Sequence, residues 1–191
     1  MIKSKIFNEQ NYFCGMLKKV LIYGLAFGSL SASMVLIMYL NKLYLQHNML
    51  SAIPVLGNLL IFGVGVYLLV KSLMSLELEK PLTLGKALFM SLLMGVIAAG
   101  CNIAAYQHIQ KNEKVVFNEY KDNQLKAIEI RVKADFSNLS ISEQNKKIVE
   151  YKNNFEENLN WTSYAMVEMQ MFLSIALVVT LLVYIANQKK Q

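Results

Sequence analysis

The chain has 191 residues, of which 55% are hydrophobic and only 17% are charged, and its formal net charge at pH 7 is +6. This composition excludes an ordinary soluble domain, because the apolar residues fall in blocks of about 20 residues, the length that crosses a bilayer as a helix. The excess positive charge lies beside these blocks rather than in a polar domain, so it does not indicate nucleic-acid binding.

Four apolar blocks predict four transmembrane helices, because a backbone surrounded by lipid must satisfy its hydrogen bonds within the segment. The blocks are Val20–Leu40, Met49–Val70, Ala87–Tyr106 and Tyr164–Ala186. We therefore expect an all-α integral membrane protein with an extramembrane helical hairpin between transmembrane helices 3 and 4. Its predicted parts are a cytoplasmic N-terminal tail (1–19), transmembrane helices 1–3 (20–106), an extracytoplasmic helical hairpin (107–161), and transmembrane helix 4 with a cytoplasmic tail (162–191).

The polar stretch before the first block is expected to be a frayed tail. Two alternatives fit the same residues. Ile2, Ile6 and Phe13 fall loosely on one helical face, which suits a helix lying on anionic lipid. Translation starting at Met16 is the other alternative, because Met16 is followed by Leu-Lys-Lys and an apolar run, as at the start of many membrane proteins.

Small residues in the spans predict close helix packing. Gly24 and Gly28 of the first span have the GxxxG spacing, and Gly95 of the third span lies in a stripe with Ser91 and Ala99 at intervals of four. Small side chains let helices approach closely where lipid supplies no hydrophobic force. Packing within the four-helix bundle is the expected use, and a homodimer face is the alternative.

The segment Gln107–Trp161 has nine Lys/Arg, nine Asp/Glu, no Gly and no Pro. Because helix breakers are absent, it predicts two helices that continue the flanking spans into water. The two arms are unequal in length, so a kink is expected near Asp122-Asn123. The turn is expected at Ser137–Ser142, with Ser140 and Glu143 forming a capping box.

Two apolar stripes in this segment predict that its helices pair. The outgoing stripe is Val116, Tyr120, Ala127, Ile130 and Ala134, and the returning stripe is Ile148, Tyr151, Phe155 and Leu159.

Lysines beside the predicted spans are concentrated on one side. Nine lie in the tails and in the loop between the second and third spans, namely Lys3, Lys5, Lys18, Lys19, Lys71, Lys80, Lys86, Lys189 and Lys190, against Lys42 in the first loop. Because positively charged loops stay in the cytoplasm, both termini are expected there. Tyr39, Tyr106 and Tyr164 are then expected in the aromatic belt at the outer interface.

Glu168 is the one acidic residue within a predicted span. It falls roughly 6 Å below Tyr164 at 1.5 Å per residue, and Asn102 of the antiparallel third span falls at about the same depth, with Asn58 somewhat deeper. An intramembrane carboxylate is costly and suggests a function. The three residues predict either a polar pocket open to the outer face or a structural hydrogen bond between helices.

Catalytic signatures are absent from the sequence, which contains no HExxH, CxxC, GxSxG or GxGxxG pattern. His47 and His108 both fall at the predicted outer face, but two histidines without a nearby carboxylate do not predict a metal site. Cys14 and Cys101 fall at different depths, so no disulfide is expected. We expect no enzyme activity, no cofactor and no bound metal.

The layout resembles a family of small, uncharacterised four-span bacterial inner-membrane proteins classed as a domain of unknown function. The resemblance is carried by Tyr23-Gly24-Leu25 opening the first span, Pro54 opening the second, Leu82–Ala87 entering the third, and the Ser140–Gln144 turn before the last. It implies a bacterial inner-membrane location and the four-span fold. It implies no activity, cofactor or catalytic residue.

Together these features favour a non-enzymatic envelope scaffold or interaction protein that acts through its extracytoplasmic helical hairpin. The expected partners are the lipid bilayer and an unidentified protein, with a homo-oligomer as one assembly and nucleic acid excluded. The alternative function is a small transporter or channel component that uses Glu168.

Overall fold

The computed structural model describes residues 2–42, 53–75 and 82–188, and every regular element in these ranges is an α-helix. The six helices are α1 (Ile2–Leu40), α2 (Ile53–Met74), α3 (Leu84–Asn112), α4 (Lys114–Asp135), α5 (Ile141–Asn158) and α6 (Trp161–Gln188). Four of them are long and apolar enough to cross a membrane, over Tyr12–Leu40, Leu56–Met74, Leu84–Asn112 and Trp161–Asn187. The predicted all-α fold is thus confirmed for the described residues, and its four long apolar helices fit a multi-pass membrane protein. Outside them lie His47, the predicted start of the second span at Met49, and Lys80, Lys189 and Lys190.

The four apolar helices form a closed bundle in which α1 and α6 each pack against both α2 and α3. Neighbours α1 and α2 are antiparallel. Lys19 Nζ of α1 donates to the Ser72 carbonyl (2.8 Å) near the end of α2, whereas Met34, further along α1, lies against Gly57 near the start of α2. The centre is apolar, with Val66, Leu69, Met90, Met94 and Phe172 buried, whereas large apolar side chains such as Leu25, Leu60 and Leu182 face outwards. Such an outer surface suits contact with lipid.

The bundle has two chemically different ends. The α4–α5 end carries helices α4 and α5, and the terminal end carries the start of α1 and the end of α6. At the terminal end, polar contacts join neighbouring helices: Lys19 contacts Ser72, and Lys71 Nζ donates to Asn187 Oδ1 (2.8 Å).

Glycine at position 28 allows α1 and α3 to approach closely. A Cβ built on Gly28 would lie 2.8 Å from Ala98 Cα and 3.0 Å from Cys101 Sγ, and one built on Gly24 would lie 3.0 Å from Ile97. Gly95 of α3 lies against the Phe172 carbonyl of α6. The GxxxG face of α1 is therefore occupied by α3 of the same chain, which leaves no room there for a second copy.

Helix boundaries at the bundle ends differ from the predicted ones. Helix α1 begins at Ile2, well before the predicted start at Val20. The expected kink near Asp122-Asn123 is wrong, since α4 runs unbroken through these residues and the break lies at Glu113 (φ −107°, ψ 50°). This break sacrifices little hydrogen bonding, because the Glu113 N–H still donates to Ile109 O (2.9 Å) and its carbonyl still accepts from Phe117 N (2.9 Å).

A turn at residues 136–140 joins α4 to α5, and the two helices contact each other. The predicted capping box is confirmed, because the Ser140 hydroxyl accepts from the Glu143 N–H while the Glu143 side chain accepts from the Ser140 N–H. Across the pair, Lys152 contacts Glu129 (3.0 Å).

On α4, the residue buried in the seam with α5 differs from the residues that were predicted to lie there. In these two helices, which the structure describes in full, the buried residues are Val132 and Ile148. Ile130 was predicted for the seam but is 65% exposed. At the start of α4, Val116 and Tyr120 of the predicted stripe do pack against the bundle. Further along the helix, the less exposed positions are Leu125, Ile128 and Val132 instead.

The ion pair between α4 and α5 holds at neutral pH. Hydrogen bonds from Lys133 and then Lys152 lower the pKa of Glu129 to about 2. A carboxyl with a depressed pKa stabilises the folded state above its ordinary pKa, and this contribution is lost as the pH falls through the depressed value. The link is therefore weakened only in strong acid.

Substituting Gly28 tests the close packing of α1 on α3. We expect Gly28→Ala to destabilise the folded protein by about 1–3 kcal/mol, because its methyl group would meet the Ala98 backbone. Gly100→Ala is the matched control, since a Cβ there meets nothing within 4 Å, and alanine favours the helix by up to about 1 kcal/mol. The measurement is thermal unfolding in detergent. Equal effects of the two substitutions would contradict the α1–α3 contact.

Candidate functional site

Glu168 lies in the upper part of α6, facing α3 rather than lipid. It is 9% exposed, and its Oε2 accepts a hydrogen bond from Asn102 Nδ2 at 3.0 Å. Tyr164, one turn earlier on α6, donates its hydroxyl to the same carboxylate. A buried carboxylate is costly unless donors replace the lost water, and here two donors from two helices do so.

Asn58 lies on the buried face of α2, within about two helical turns of the depth of Glu168. On the parallel helices α2 and α6, the rings of Phe62 and Phe172 pack edge to face with centroids 4.6 Å apart. Asn58 and Glu168 each precede their phenylalanine by four residues, about one helical turn. The two side chains therefore lie on the same faces one turn nearer the α4–α5 end. The sequence predicted that Asn58 lies somewhat deeper than Glu168, and the approach of Gly63 to Val179 (3.9 Å from a built Cβ) shifts α2 in that direction.

Ser31 lies at this level too, which the sequence analysis missed. Helices α1 and α3 are parallel, and Gly28 touches Ala98. Ser31 follows Gly28 by three residues and Asn102 follows Ala98 by four, so both lie about one turn further along. Ser31 and Asn102 are each completely buried. The signal in the sequence was the position of Ser31 on the GxxxG face.

Each of the four apolar helices thus contributes one buried polar side chain to the part of the bundle near the α4–α5 end. We call Ser31, Asn58, Asn102 and Glu168 the polar layer. Three of its oxygen atoms lack a hydrogen-bond partner, namely Ser31 Oγ, Asn58 Oδ1 and Asn102 Oδ1. Unpaired buried polar atoms are uncommon in folded proteins, so their presence in one layer calls for an explanation.

Four tyrosines cover the polar layer on the side of the α4–α5 end. Tyr106 and Tyr164 stack with centroids 3.9 Å apart, and Tyr39 meets Tyr120 edge to face at 5.2 Å. The Tyr106 hydroxyl donates to the Leu159 carbonyl (2.8 Å) at the α5–α6 junction. Burial raises the pKa of the Tyr120 hydroxyl, so that group stays neutral. We call these four residues the tyrosine cluster.

The tyrosine cluster differs from the aromatic belt that the sequence suggested. Tyr39 and Tyr106 are 4% and 2% exposed, so they face the protein interior rather than lipid headgroups. The reason is that α4 folds over them, with Val116 and Phe117 packed against the same cluster. A belt prediction cannot anticipate this cover, because it considers each span without its neighbours.

An apolar core closes the polar layer on the terminal side. Phe62, Val66, Met94 and Phe172 are all completely buried there. Two further buried hydroxyls, of Ser91 and Thr180, lie beyond this core. The polar layer is therefore enclosed between tyrosines and apolar side chains, and no continuous polar path crosses the described part of the bundle.

The remaining candidate residues form no reactive grouping. No cluster of three or more His, Cys, Asp or Glu suited to a metal ion occurs in the described ranges. His108 is exposed and its Nδ1 lies 2.9 Å from Asn112 Nδ2. Cys14 and Cys101 are both free thiols. Within the described chain, the polar layer combines a buried carboxylate with three of the five buried side-chain oxygen atoms that lack a hydrogen-bond partner.

No protein-family model, curated protein or solved structure matches the chain.

A double-mutant cycle tests the bond between α3 and α6. Glu168→Ala and Asn102→Ala each remove one partner, and interhelical hydrogen bonds in lipid are worth roughly 0.6 to 2 kcal/mol. The double substitution should cost less than the sum of the two single substitutions, because both remove one shared contact. The measurement is unfolding of the purified protein.

The control cycle pairs Asn102→Ala with Thr180→Val. Thr180 is also buried on α6, but it lies on the far side of the apolar core. The losses of unfolding free energy caused by the Asn102 and Thr180 substitutions should therefore add. Additive losses for Glu168 and Asn102 as well would mean that the two side chains do not interact.

Proposed function

We propose that this is a non-enzymatic, multi-pass protein of the bacterial inner membrane, which presents α4 and α5 outside the cytoplasm as a helical hairpin for a protein partner. The observation that carries the proposal is the set of ring contacts, hydrogen bonds and an ion pair that join these helices to the bundle. A surface held in one orientation loses less entropy on binding than a mobile one. Such a junction suits a scaffold or interaction protein.

Contacts at the junction come from several helices. The tyrosine cluster joins α1, α3, α4 and α6 through ring packing and the hydrogen bond between the hydroxyls of Tyr39 and Tyr120. Lys42, just after α1, forms an ion pair with Glu119 of α4 (2.7 Å). The hydrogen bond from the Tyr106 hydroxyl to the Leu159 carbonyl connects α3 to the end of α5. Together they support a fixed position of α4 and α5 on the bundle.

The surface available to a partner carries apolar side chains among charged ones. Ile130 on α4 and Ile141, Val149 and Tyr151 on α5 are exposed. These residues stand apart from the seam at Val132 and Ile148, so packing between the two helices leaves them uncovered. Exposed isoleucine and valine on an otherwise polar helix pair are the natural anchors for another protein or a second copy of this chain.

Lysine placement supports the proposed orientation. Lys18, Lys19, Lys71 and Lys86 all belong to the terminal end of the bundle. At the α4–α5 end, the nine Lys/Arg of residues 107–161 are spread along α3, α4 and α5 rather than clustered beside the span ends. By the positive-inside rule the terminal end belongs in the cytoplasm, which places the proposed hairpin on the opposite side.

A second candidate function is a small transporter or channel component that uses Glu168. The polar layer favours it, because an ionisable side chain inside a membrane often marks an ion pathway. The apolar core around Phe62 and Phe172 separates this layer from the terminal end. Transport would therefore require a second conformation in which that core opens.

Site-specific photo-crosslinking tests the scaffold proposal. A benzophenone amino acid replaces Val149 or Ile130 in the full-length protein, and cells are irradiated before the membranes are solubilised. We expect a protein adduct at one or both positions, because both side chains are exposed and lie outside the seam between α4 and α5. An adduct of twice the chain mass would identify a second copy as the partner.

The matched control carries the same probe at Leu60, an exposed apolar residue on the outside of α2. It should give lipid adducts only. The scaffold proposal fails if Val149 and Ile130 give no protein adduct, or give the same products as Leu60.

A further inference from the structure

The whole formal net charge of the chain belongs to the terminal end of the bundle. Nine lysines flank the spans at this end, in the first 19 residues, in residues 71–86 and in the last residues of the chain. The acids of the same segments are Glu9, Glu77 and Glu79. This excess of nine lysines over three acids accounts for the full +6. The rest of the chain is neutral, because the nine Lys/Arg and nine Asp/Glu of residues 107–161 cancel and Lys42 offsets Glu168.

Three of these lysines, on three helices, directly adjoin the apolar core of the bundle. Lys19 precedes Val20 on α1, Lys71 follows Val70 on α2, and Lys86 precedes Ala87 on α3. The three apolar neighbours are all completely buried. A lysine in such a position keeps its stem against the apolar helices while its ammonium group extends into the headgroup region of the bilayer.

The charges of Lys19 and Lys71 are not compensated by a carboxylate among the side chains that the structure describes. Lys19 Nζ donates to the carbonyl (2.8 Å) and to the hydroxyl (2.6 Å) of Ser72. Lys71 Nζ donates to Asn187 Oδ1 at 2.8 Å. These neutral acceptors fix the positions of the two ammonium groups between helices but leave their positive charge in place.

Lys86 is held against the same side of α1 as Lys19. Its Nζ lies over the Tyr12 ring, 5.5 Å from the centroid. Tyr12 and Lys19 are seven residues apart, which places them on one face of α1, about 10 Å apart along its axis. Lys86 is exposed. Two ammonium groups from different helices are therefore available along one face of α1.

The α4–α5 end treats its lysines differently. All five ion pairs found among the described side chains lie at that end. Lys42 pairs with Glu119 at 2.7 Å, and Lys121 pairs with Glu156 at 2.9 Å. Positive charge is thus neutralised within the protein at one end of the bundle and presented to an external anion at the other.

We propose that the terminal end binds anionic phospholipids of the leaflet that it faces, with the ammonium groups of Lys19, Lys71 and Lys86 on the lipid phosphates. Lysine suits this ligand, because it binds phosphate as a point charge. Position favours a lipid over a soluble polyanion, since lysines beside the apolar core lie at the level of lipid headgroups. The inference goes beyond the scaffold proposal and is independent of it, because it requires neither a protein partner nor a particular orientation of the chain.

Quenching of tryptophan fluorescence by brominated lipids tests the proposal, because bromine on an acyl chain quenches only a tryptophan that the lipid touches. Trp161, the one tryptophan of the chain, is 52% exposed at the α4–α5 end. In the full-length variant Trp161→Phe, Phe89→Trp, the fluorophore instead occupies a position about one turn beyond Lys86, where the native side chain is 55% exposed. Both proteins are reconstituted in phosphatidylcholine vesicles that contain dibrominated phosphatidylglycerol or dibrominated phosphatidylcholine.

At position 89 we expect phosphatidylglycerol to bind at least about fivefold more tightly than phosphatidylcholine. This factor corresponds to the contribution of about 1 kcal/mol that one lysine makes beside an anionic surface. The preference should decrease as salt is added, since salt screens exposed charges. At Trp161 the two lipids should quench equally, because the lysines there are paired with acids.

Variants in the position-89 background identify the charged group. Lys86→Gln removes the charge from an exposed side chain and should lower the preference for phosphatidylglycerol about fivefold. Lys86→Arg keeps the charge and should keep the preference. Lys42→Gln is the matched control, because Lys42 also adjoins the end of an apolar helix but is paired with Glu119. It should leave the preference at position 89 unchanged.

Several outcomes would overturn the proposal. Equal quenching by the two lipids at position 89, with every lysine intact, would do so and would assign the charge to a soluble acidic partner instead. An equal preference at Trp161 would mean a general attraction to the vesicle rather than binding at the terminal end. Equal effects of Lys86→Gln and Lys42→Gln would remove the lysine assignment. The crosslinking results at Val149 and Ile130 are unaffected by any of these outcomes.

Discussion

The bond between Asn102 and Glu168 is the constraint on which the rest of the structure depends. A carboxylate inside a membrane-crossing bundle must find donors within the protein, since lipid offers none. At 3.0 Å the Asn102 amide meets this need from the neighbouring helix, and it does so only if α3 and α6 have one particular register. The same register brings Tyr106 onto Tyr164 and Gly95 against Phe172. One polar contact is thus consistent with the packing along the whole α3–α6 interface.

The tyrosine cluster connects this interface to the helices beyond the bundle. Tyr164 contacts Glu168 on one side and stacks on Tyr106, which in turn reaches the Leu159 carbonyl where α5 ends. The polar layer and the α4–α5 pair are therefore linked through two adjacent side chains. A change in the occupancy or charge of the layer has a short physical route to the position of α5. This link connects the two candidate functions, a presented surface and a transport role for Glu168.

The sequence predicted the spans and the Asn102–Glu168 pair, because both depend on quantities that are local and regular. Apolar length decides whether a helix crosses a bilayer, and a constant rise per residue lets depths be matched across an antiparallel pair. The role of Ser31 depends on the rotation of α1 about its axis, which Gly28 sets through contact with Ala98. The break at Glu113 occurs without Gly or Pro, and the backbone groups of Glu113 keep their hydrogen bonds. The amino-acid composition therefore does not predict it. The error at Ile130 has another cause: the start of α4 packs on the bundle through Val116 and Tyr120, whereas the far part buries Val132, so a single stripe does not describe the whole helix.

The central claim is that four side chains from four helices share one layer, and the register of α2 against α6 is its least direct part. In a Cys14→Ser, Cys101→Ser background, Phe62→Cys and Phe172→Cys would be treated with a short bifunctional thiol reagent in native membranes. Phe62→Cys paired with Val183→Cys, about three turns further along α6, is the control. The account predicts efficient crosslinking of the first pair and none of the second, because the Phe62 and Phe172 rings are 4.6 Å apart. Preferential crosslinking to position 183 would shift Glu168 out of the level of Asn58 and contradict the polar layer.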